Sequence, residues 1–525
     1  MQNNFAEYMA WNKVYGGSGG GGGGGGSSAE TKDVNFYDYD GTVVASYTAQ
    51  EFAELPAMPD NPSHSDLVAQ GWNWSLEDAK GYVAKYGMLD VGQSYTTESG
   101  KTEIDISLPD GRTDPLLGVR LNGTIEVDWG DGSTDTLTGT STSNDTTIQH
   151  TYASPGDYTI KIGLISGSYR LVGAYAYTFI RKNTYTDNNE NDIYRNMIKA
   201  IRFSTDVSMV ETVALYHARK IETVTLPNTI TALYGNCFVG CWALKCIILP
   251  QNCSINGYSN FQECYGMKTV VMSKGVTSIS NNMFNSCRSL GKAIIPDSVT
   301  LIDGNAFASC NGLEKVIIPD SVVTVNSNSF QETALREVEF PDSVTRYNSS
   351  IFYMCKNLES AKLKGNVVQF AGSIFNSCYN LKYVTFPSGI TEIPSSMFAG
   401  CCQLRGVVIP AGVTHIRANA FNGCYCLGDV TLPESLVGIE GAFVGCYDLA
   451  DITIPSGVTS IASNAFNQCY GLKKIHMLPT TPPTLGTNGF NNIPSDCVIY
   501  VPAASLADYQ AATNWSTYAS QMRGE

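Results

Sequence analysis

The chain has 525 residues, a formal net charge of −15 and only 15% charged residues, with 50 glycines and 29 tyrosines. That length exceeds one ordinary domain, and the composition favours extended, β-rich architecture over a helical enzyme. The acidic balance argues against a nucleic-acid partner, because binding to phosphates needs a basic face.

Residues 1–32 join an aromatic segment to a tract that is almost all glycine through Gly26. The start lacks the basic region and apolar core of a secretory signal, and no later stretch has the length and hydrophobicity of a membrane span. One interpretation is a disordered tail and flexible linker. The other is a tethered docking peptide for a virion structural protein, with the apolar contact residues Phe5, Tyr8, Trp11 and Tyr15.

Residues 33–100 have the pattern of a small module. Alternating residues around an Asp-Gly turn at 34–44 predict a β-hairpin. A second aromatic strand is expected at 70–74, followed by a helix for which Ser75 is a suitable N-cap. This arrangement is similar to the internalin B-repeat, a β-grasp-like spacer, although the helix departs from that family's pattern.

Residues 101–185 contain Val-Asp-Trp-Gly-Asp-Gly-Ser at 127–133 and His-Thr-Tyr at 150–152. The Gly-Asp-Gly predicts a tight turn with positive φ, and Trp129 is expected in the core. The segment resembles a PKD-type β-sandwich, and the resemblance implies a spacer or a weak ligand binder. Asp128 and Asp131 are suitable Ca²⁺ ligands, but their role in the turn already explains them, so no metal is predicted.

A repeat of 22 or 23 residues organises the chain from about Ile198 to Met477. Its aromatic position is occupied by Phe238, Phe261, Phe284, Phe307, Phe330, Phe352, Phe375, Phe398, Phe421, Phe443 and Phe466. Three residues later the repeat has Cys241, Cys264, Cys287, Cys310, Cys355, Cys378, Cys401, Cys424, Cys446 and Cys469, with Thr333 replacing cysteine once. Such a period predicts a solenoid whose coils stack because none can bury its apolar face alone.

The motif AFxxCxxLxxVxIPxxVxxI, as in Ala306 to Val322, resembles the BspA-type leucine-rich repeat. That resemblance implies surface adhesion and ligand binding. The predicted fold class is mainly β and multi-domain: the β-grasp-like module and PKD-like β-sandwich precede a BspA-type leucine-rich-repeat solenoid at 186–478. A cap at 479–525 is expected to contain a last strand and an amphipathic helix at Ser505–Gln521 that seals the core.

The 16 cysteines mostly share one repeat position, so buried reduced thiols are expected rather than a disulfide framework. Whether the off-column cysteines pair is left open. No zinc-type spacing occurs, and the five histidines show no recurring partner spacing. The sequence therefore predicts no catalytic residues, no metal and no cofactor.

In each coil the short strand after the leucine should alternate inward and outward side chains, so its outward residues form one sheet face. Basic residues recur on that face although the chain is acidic. An ordinary solvated face is one interpretation, and a ligand-binding face is the other. The candidate ligand-binding residues are Lys245, Lys268, Lys292, Lys315, Arg336, Lys362, Lys382, Tyr383 and Arg405.

Three functions are consistent with this layout. The preferred one is a phage or prophage virion protein that recognises a host-surface glycan or protein through its solenoid, located in the particle. The alternative is a BspA-like adhesin on a bacterial cell surface. An enzyme accessory protein is the second alternative, and a homotrimer is an open alternative to a monomer.

Overall fold

The computed structural model describes residues 32–173, 178–181 and 193–525. The chain from Asp33 to Glu525 forms one compact unit, which is mainly β, as predicted. No helix within the described ranges has the length and apolar character of a membrane span. The predicted docking residues Phe5, Tyr8, Trp11 and Tyr15 lie outside these ranges.

The first module is a mixed four-stranded sheet with two helices. Its elements are β1 (Val34–Tyr37), β2 (Val43–Tyr47), α1 (Ala49–Glu54), β3 (Leu67–Trp72), α2 (Leu76–Tyr86) and β4 (Leu89–Thr97). The strand order is β2-β1-β4-β3, with β1 and β4 parallel at the centre. The Ser75 side chain accepts the amide of Asp78 and caps α2, as the sequence predicted.

A long antiparallel sheet follows the first module. Its strands are β5 (Thr102–Leu108), β6 (Leu116–Asp128), β7 (Thr134–Gln149), β8 (Gly156–Leu171) and β9 (Ile180–Arg181), joined by the first solenoid strands β10 (Ile198–Arg202) and β12 (Thr223–Thr225). Within the described ranges these strands form a single sheet, in the order β12-β10-β5-β8-β6-β7 with β9 on β6. Because β5 also pairs with β10, this sheet continues into the solenoid.

The Trp-Gly-Asp-Gly turn has the predicted local geometry. Gly130 and Gly132 have φ of 79° and 91°, in the region that favours glycine. Trp129 is fully buried, and the His150 ring stacks on it at 4.6 Å between centroids. Asp131 binds His150 Nε2 at 2.8 Å and accepts the Ser133 hydroxyl, so it acts within the turn.

The solenoid has about 14 turns, and most coils contribute one strand to each of two ribbons. The front ribbon contains β10, β12, β14 (Cys246–Ile248), β16 (Thr269–Val271), β18 (Lys292–Ile294), β20 (Lys315–Ile317), β22 (Glu337–Glu339), β24 (Ser360–Lys362), β26 (Tyr383–Thr385), β28 (Gly406–Val408), β30 (Asp429–Thr431), β32 (Asp451–Ile454), β34 (Lys474–Met477) and β36 (Val498–Val501). The back ribbon contains β11 (Met209–Val210), β13 (Ala232–Leu233), β15 (Ser254–Ile255), β17 (Ser278–Ile279), β19 (Leu301–Ile302), β21 (Thr324–Val325), β23 (Arg346–Tyr347), β25 (Gln369–Phe370), β27 (Glu392–Ile393), β29 (His415–Ile416), β31 (Gly438–Ile439), β33 (Ser460–Ile461) and β35 (Thr484–Leu485).

The phenylalanine column forms the centre of the core. Successive rings are nearly parallel, with centroids 5.1–5.7 Å apart, and all are fully buried. Each buried ring contributes about 1.5–3 kcal/mol, which a lone coil could not obtain. Phe490 continues the stack at 5.2 Å from Phe466, although its 24-residue spacing left it out of the predicted repeat.

The cysteine column lies beside the rings and bonds one coil to the next. Each thiol of the cysteine column donates a hydrogen bond to a backbone carbonyl of the preceding coil, as Cys310 Sγ does to Phe284 O at 3.0 Å. Thr333 departs from this pattern, because its hydroxyl donates to Phe330 O of its own coil at 3.0 Å and lies 3.3 Å from the Cys355 sulfur. All 16 cysteines are free thiols, and burial raises the pKa of Cys310 to about 12, which keeps the thiol protonated as a donor.

The C-terminal end differs from the single amphipathic helix that was expected. A 3₁₀ turn at Ala503–Ser505 leads into α3 (Leu506–Ala511), and a second 3₁₀ helix covers Trp515–Gln521 before β37 (Met522–Gly524) pairs with β36. The break falls at Asn514, whose φ is 65°. The buried Trp515 ring lies 5.7 Å from Phe490 and thus covers the end of the phenylalanine column.

Candidate functional site

The outward side chains of the front ribbon form rows across the coils, within a series of short parallel sheets. Neighbouring strands are parallel and in register, so Glu339 faces Lys362 and Lys362 faces Thr385. Inward residues such as Val338 are buried while their neighbours on either side are exposed. The alternation therefore presents one rigid sheet face to solvent, as predicted for this ribbon.

The first module covers one part of this face. Its strand β4 lies against β14 and β16, and the outward positions there are apolar rather than charged. Cys246, Ile248 and Val271 form a buried cluster with Tyr37 of the module. Ile294 joins the module's own core. The two parts of the chain therefore share a hydrophobic interface, and the module is not a free spacer.

Three side chains of the first module donate hydrogen bonds to the solenoid, and their acceptors are spaced by one repeat. Asn73 Nδ2 donates to Leu249 O at 3.0 Å, Trp74 Nε1 to Met272 O at 3.0 Å and Tyr82 OH to Ile295 O at 2.7 Å. The three acceptors occupy the same position in successive coils, 23 residues apart. Each contact is buried, so each bond satisfies a carbonyl that water cannot reach.

Lys292 lies beneath the module, contrary to its expected place on an open ligand-binding face. Its ammonium is 2.7 Å from Asp90 Oδ1, and the Asp90 side chain is 5% exposed. Burial raises the pKa of the Asp90 carboxyl, while the nearby Lys292 charge opposes that rise. Lys292 therefore holds the module in place and is not available to a ligand.

Most other candidate lysines are paired with acidic residues one coil away. Lys245 binds Glu222 at 2.7 Å, Lys362 binds Glu339 at 3.0 Å and Lys382 binds Glu359 at 2.6 Å. The hydrogen bond from Lys382 lowers the pKa of Glu359. These exposed pairs neutralise the basic row and contribute little to stability individually.

The remaining candidates are solvent-exposed. Lys268 and Lys315 lie on coils that the module partly covers, whereas Arg336, Tyr383 and Arg405 lie on the open part. Tyr383 is 70% exposed. Val408, which sequence reasoning did not select, is 69% exposed and follows on the next strand.

The covering module is the feature that sequence reasoning missed. The available signal was the apolar character of the outward positions 246, 248, 271, 294 and 317, in contrast to the charged and threonine residues on later coils. An apolar residue on an exposed face requires a partner to cover it. That signal indicates where the cover lies, but not which segment supplies it.

An open groove of about 750 Å³ is a second concave site, lined by Asp66, Asp105, Asp128, Asp157, Lys161, Lys199 and Arg202. Its charges largely bind one another, since Arg202 contacts Asp105 at 2.7 Å and Lys199 contacts Asp157 at 2.9 Å. Among the residues that the structure describes, no group of three or more His, Cys, Asp or Glu is placed to hold a metal ion.

The stacked phenylalanines, in-register ribbons and leucine positions define a leucine-rich-repeat solenoid with an exposed sheet face. The model of the BspA type leucine rich repeat region matches residues 189–314, 302–428 and 391–506, more than half of the chain. The chain therefore belongs to the BspA-type leucine-rich-repeat family. The resemblance noted from the sequence is confirmed, while the PKD-type and internalin B-repeat resemblances stay predictions.

Several solved structures are similar to the chain. A leucine-rich repeat protein from Bacteroides ovatus is 27% identical, with 54% of this chain and 79% of that chain covered and a TM-score of 0.49. A leucine rich cell surface protein from Faecalibacterium prausnitzii is 22% identical, covering 69% and 98%, with a TM-score of 0.39. The pneumococcal vaccine antigen PcpA is 17% identical, covering 62% and 83%, with a TM-score of 0.32. No curated protein matches the chain.

Proposed function

We propose that this chain is a non-enzymatic binding protein of a bacterial cell surface, and that its ligand contacts the open part of the front ribbon, from Arg336 to His476. Membership of the BspA-type repeat family is the observation that carries the proposal. Proteins built from these repeats generally bind other molecules rather than catalyse reactions.

The geometry of the front ribbon supports binding because its outward side chains are held in place before a ligand arrives. The outward rows are fixed by in-register backbone pairing, so a ligand meets side chains that are already positioned and loses less entropy on binding. Arg336, Lys362, Lys382, Tyr383 and Arg405 are the sequence-selected residues on this open part. The ligand is a glycan or a protein of another cell's surface.

Cell-surface location is now the better-supported alternative. The virion location preferred from the sequence depended on the interpretation of residues 1–32, and the family match adds nothing to it. We therefore propose the BspA-like adhesin in its place. Fractionating the source culture into washed envelope and purified particles, with quantification by peptide mass spectrometry, tests the location. Enrichment in particles at stoichiometric levels would refute it.

The binding face is tested with substitutions on opposite ribbons. The full chain is applied to arrays of purified glycans and of purified extracellular proteins. Thr385→Lys places a charge on the open front face, and Thr391→Lys makes the same change at an exposed position beside the back ribbon. We expect the first variant to lose binding and the second to keep it. Equal binding by both variants would place the ligand elsewhere.

A further inference from the structure

The open part of the front ribbon contains two seams between neighbouring sheets, β26/β28 and β30/β32, and at the first of them three side chains are left without partners. Strands β22, β24 and β26 form one sheet and β28 begins the next, so in the described chain no β-bridge joins β26 to β28. Tyr383 opens β26 and Gly406 opens β28. The seam therefore lies between the most exposed aromatic ring of the front ribbon and a position without a side chain.

Gly406 forms the floor of a notch. It faces Asp429 in register, and a Cβ placed on it would lie 3.3 Å from the Asp429 Cβ and 3.4 Å from the Asp429 carbonyl oxygen, with no contact from the Tyr383 side. Tyr383 and Asp429 are two strand steps apart, about 9–10 Å, and the strand between them has no side chain at this position. The notch is thus open towards Tyr383 and closed on its other side by Asp429.

The side chains around the notch are free to bind. Among the described residues, no hydrogen bond or ion pair engages the side chains of Tyr383, Arg405 or Asp429, whereas the nearby Lys382 and Lys362 are paired. Arg405 is exposed next to the Gly406 floor, and Val408 is exposed at its other end. The charges of Arg405 and Asp429 offset each other, which gives a site of no net charge.

We propose, building on the binding role proposed above, that this notch is a subsite for one neutral pyranose ring of a glycan. A sugar ring presents C–H groups to an aromatic face and hydroxyl groups around its edge. The Tyr383 ring matches the first, the Asp429 carboxylate accepts hydroxyl protons, and the Arg405 guanidinium donates to hydroxyl oxygens.

A sugar fits this notch better than a peptide does. A peptide binding by strand addition needs an open sheet edge, but the edges of β26 and β28 face each other within the stack. A side-chain anchor needs a deep apolar pocket, whereas the floor here is a single glycine on a flat sheet. A shallow site with one aromatic wall and polar groups at its rim matches a ring that binds face-on.

The test uses the full chain and a panel of methyl pyranosides of glucose, galactose, mannose, N-acetylglucosamine and N-acetylgalactosamine, followed by saturation-transfer NMR. We expect at least one sugar to bind, with transfer strongest on one face of its ring. Tyr383→Ala and Gly406→Thr should each weaken binding about tenfold or more, since the first removes the aromatic wall and the second fills the notch. Tyr383→Phe should retain binding.

Tyr470→Ala is the matched control, because Tyr470 is also an exposed tyrosine but lies in a coil turn away from the notch. Circular dichroism and thermal unfolding verify that each variant is folded. Absence of binding by every sugar in the panel would overturn the subsite, as would binding that Tyr383→Ala and Gly406→Thr leave unchanged.

The outcomes also separate this proposal from the binding role itself. If Thr385→Lys abolishes binding to a purified protein while Tyr383→Ala and free sugars have no effect, the front face binds a protein and the sugar subsite is wrong. If no front-face variant changes any binding, both proposals are wrong.

Discussion

Replacing Lys292 with methionine should loosen the first module from the solenoid. The substitution keeps an unbranched side chain only one atom shorter and removes the ammonium that lies 2.7 Å from the buried Asp90. Asp90 would retain only weaker partners such as the Asn35 amide at 3.4 Å. Its charge would then be largely uncompensated inside the interface.

The magnitude follows from the burial of the two partners. Removing one partner of a fully buried pair costs about 3–5 kcal/mol. Because 30% of the Lys292 side chain is exposed and Asp90 can take up a proton, we expect about 2–3 kcal/mol at neutral pH. Lys315→Met is the matched control, since Lys315 is the in-register neighbour of Lys292 and is exposed. It should change stability by no more than about 0.5 kcal/mol.

The pH dependence gives an independent readout. Burial raises the folded-state pKa of Asp90, so the folded protein binds this proton more tightly than the unfolded chain does. The contribution of Asp90 to the free energy of unfolding is therefore largest in acid. It is lost as the pH rises from the pKa of Asp90 in the unfolded chain to its higher pKa in the folded protein. Lys292→Met raises the folded pKa further, so its deficit relative to the wild type should be smallest in acid and grow towards neutral pH.

Urea unfolding gives the free energies, and hydrogen exchange in residues 33–100 shows whether the module opens locally. Asp90→Asn combined with Lys292→Met should recover part of the loss, because no buried charge remains. Equal stability of Lys292→Met and Lys315→Met at neutral pH, with unchanged exchange in the module, would refute the assigned role of the ion pair.

Three further outcomes are expected elsewhere in the chain. Phe307→Ala should lower the free energy of unfolding in urea by about 3–5 kcal/mol. Phe386→Ala should lower it less, because Phe386 is only half-buried. Equal losses would contradict the stacked core. Iodoacetamide should label the half-buried Cys426 in the folded protein well before Cys310, as peptide mass spectrometry can show; equal labelling rates would exclude the closed thiol column. Although burial opposes it, hydrogen bonds from Ser133 and His150 lower the pKa of Asp131 to about 2, so its stabilising effect is present above its unfolded pKa and lost as pH falls towards 2. Asp131→Asn should accordingly be less stable than the wild type at pH 7 and similar to it near pH 2, and a deficit independent of pH would contradict this assignment.

The core of the solenoid was predictable because its determinants recur in every coil. The 22- or 23-residue spacing of phenylalanine and cysteine specifies both the stack and the burial of the thiols, and the structure confirms both. The last coil was missed where its spacing rises to 24 residues before Phe490. A prediction that assumes a fixed repeat length misses a coil of a different length.

The state of the front face was only partly predictable. Alternation within a strand identified which side chains point outward, but the pairs Lys362–Glu339 and Lys382–Glu359 depend on the register between coils. The burial of Lys292 depends on a module some 200 residues earlier in the sequence, and no local pattern encodes that contact. The helix break at Asn514 likewise reflects the fit of Trp515 onto the last coil rather than helix periodicity.

The bonds from Asn73, Trp74 and Tyr82 give the solenoid an uneven mechanical strength along its length. They fasten three successive coils to one folded body, so these coils can separate only if the module also detaches. The seam between β26 and β28 has no such reinforcement on its front ribbon. A load carried along the stack is therefore expected to open an unreinforced seam, this one or the seam between β30 and β32, before the coils beneath the module separate.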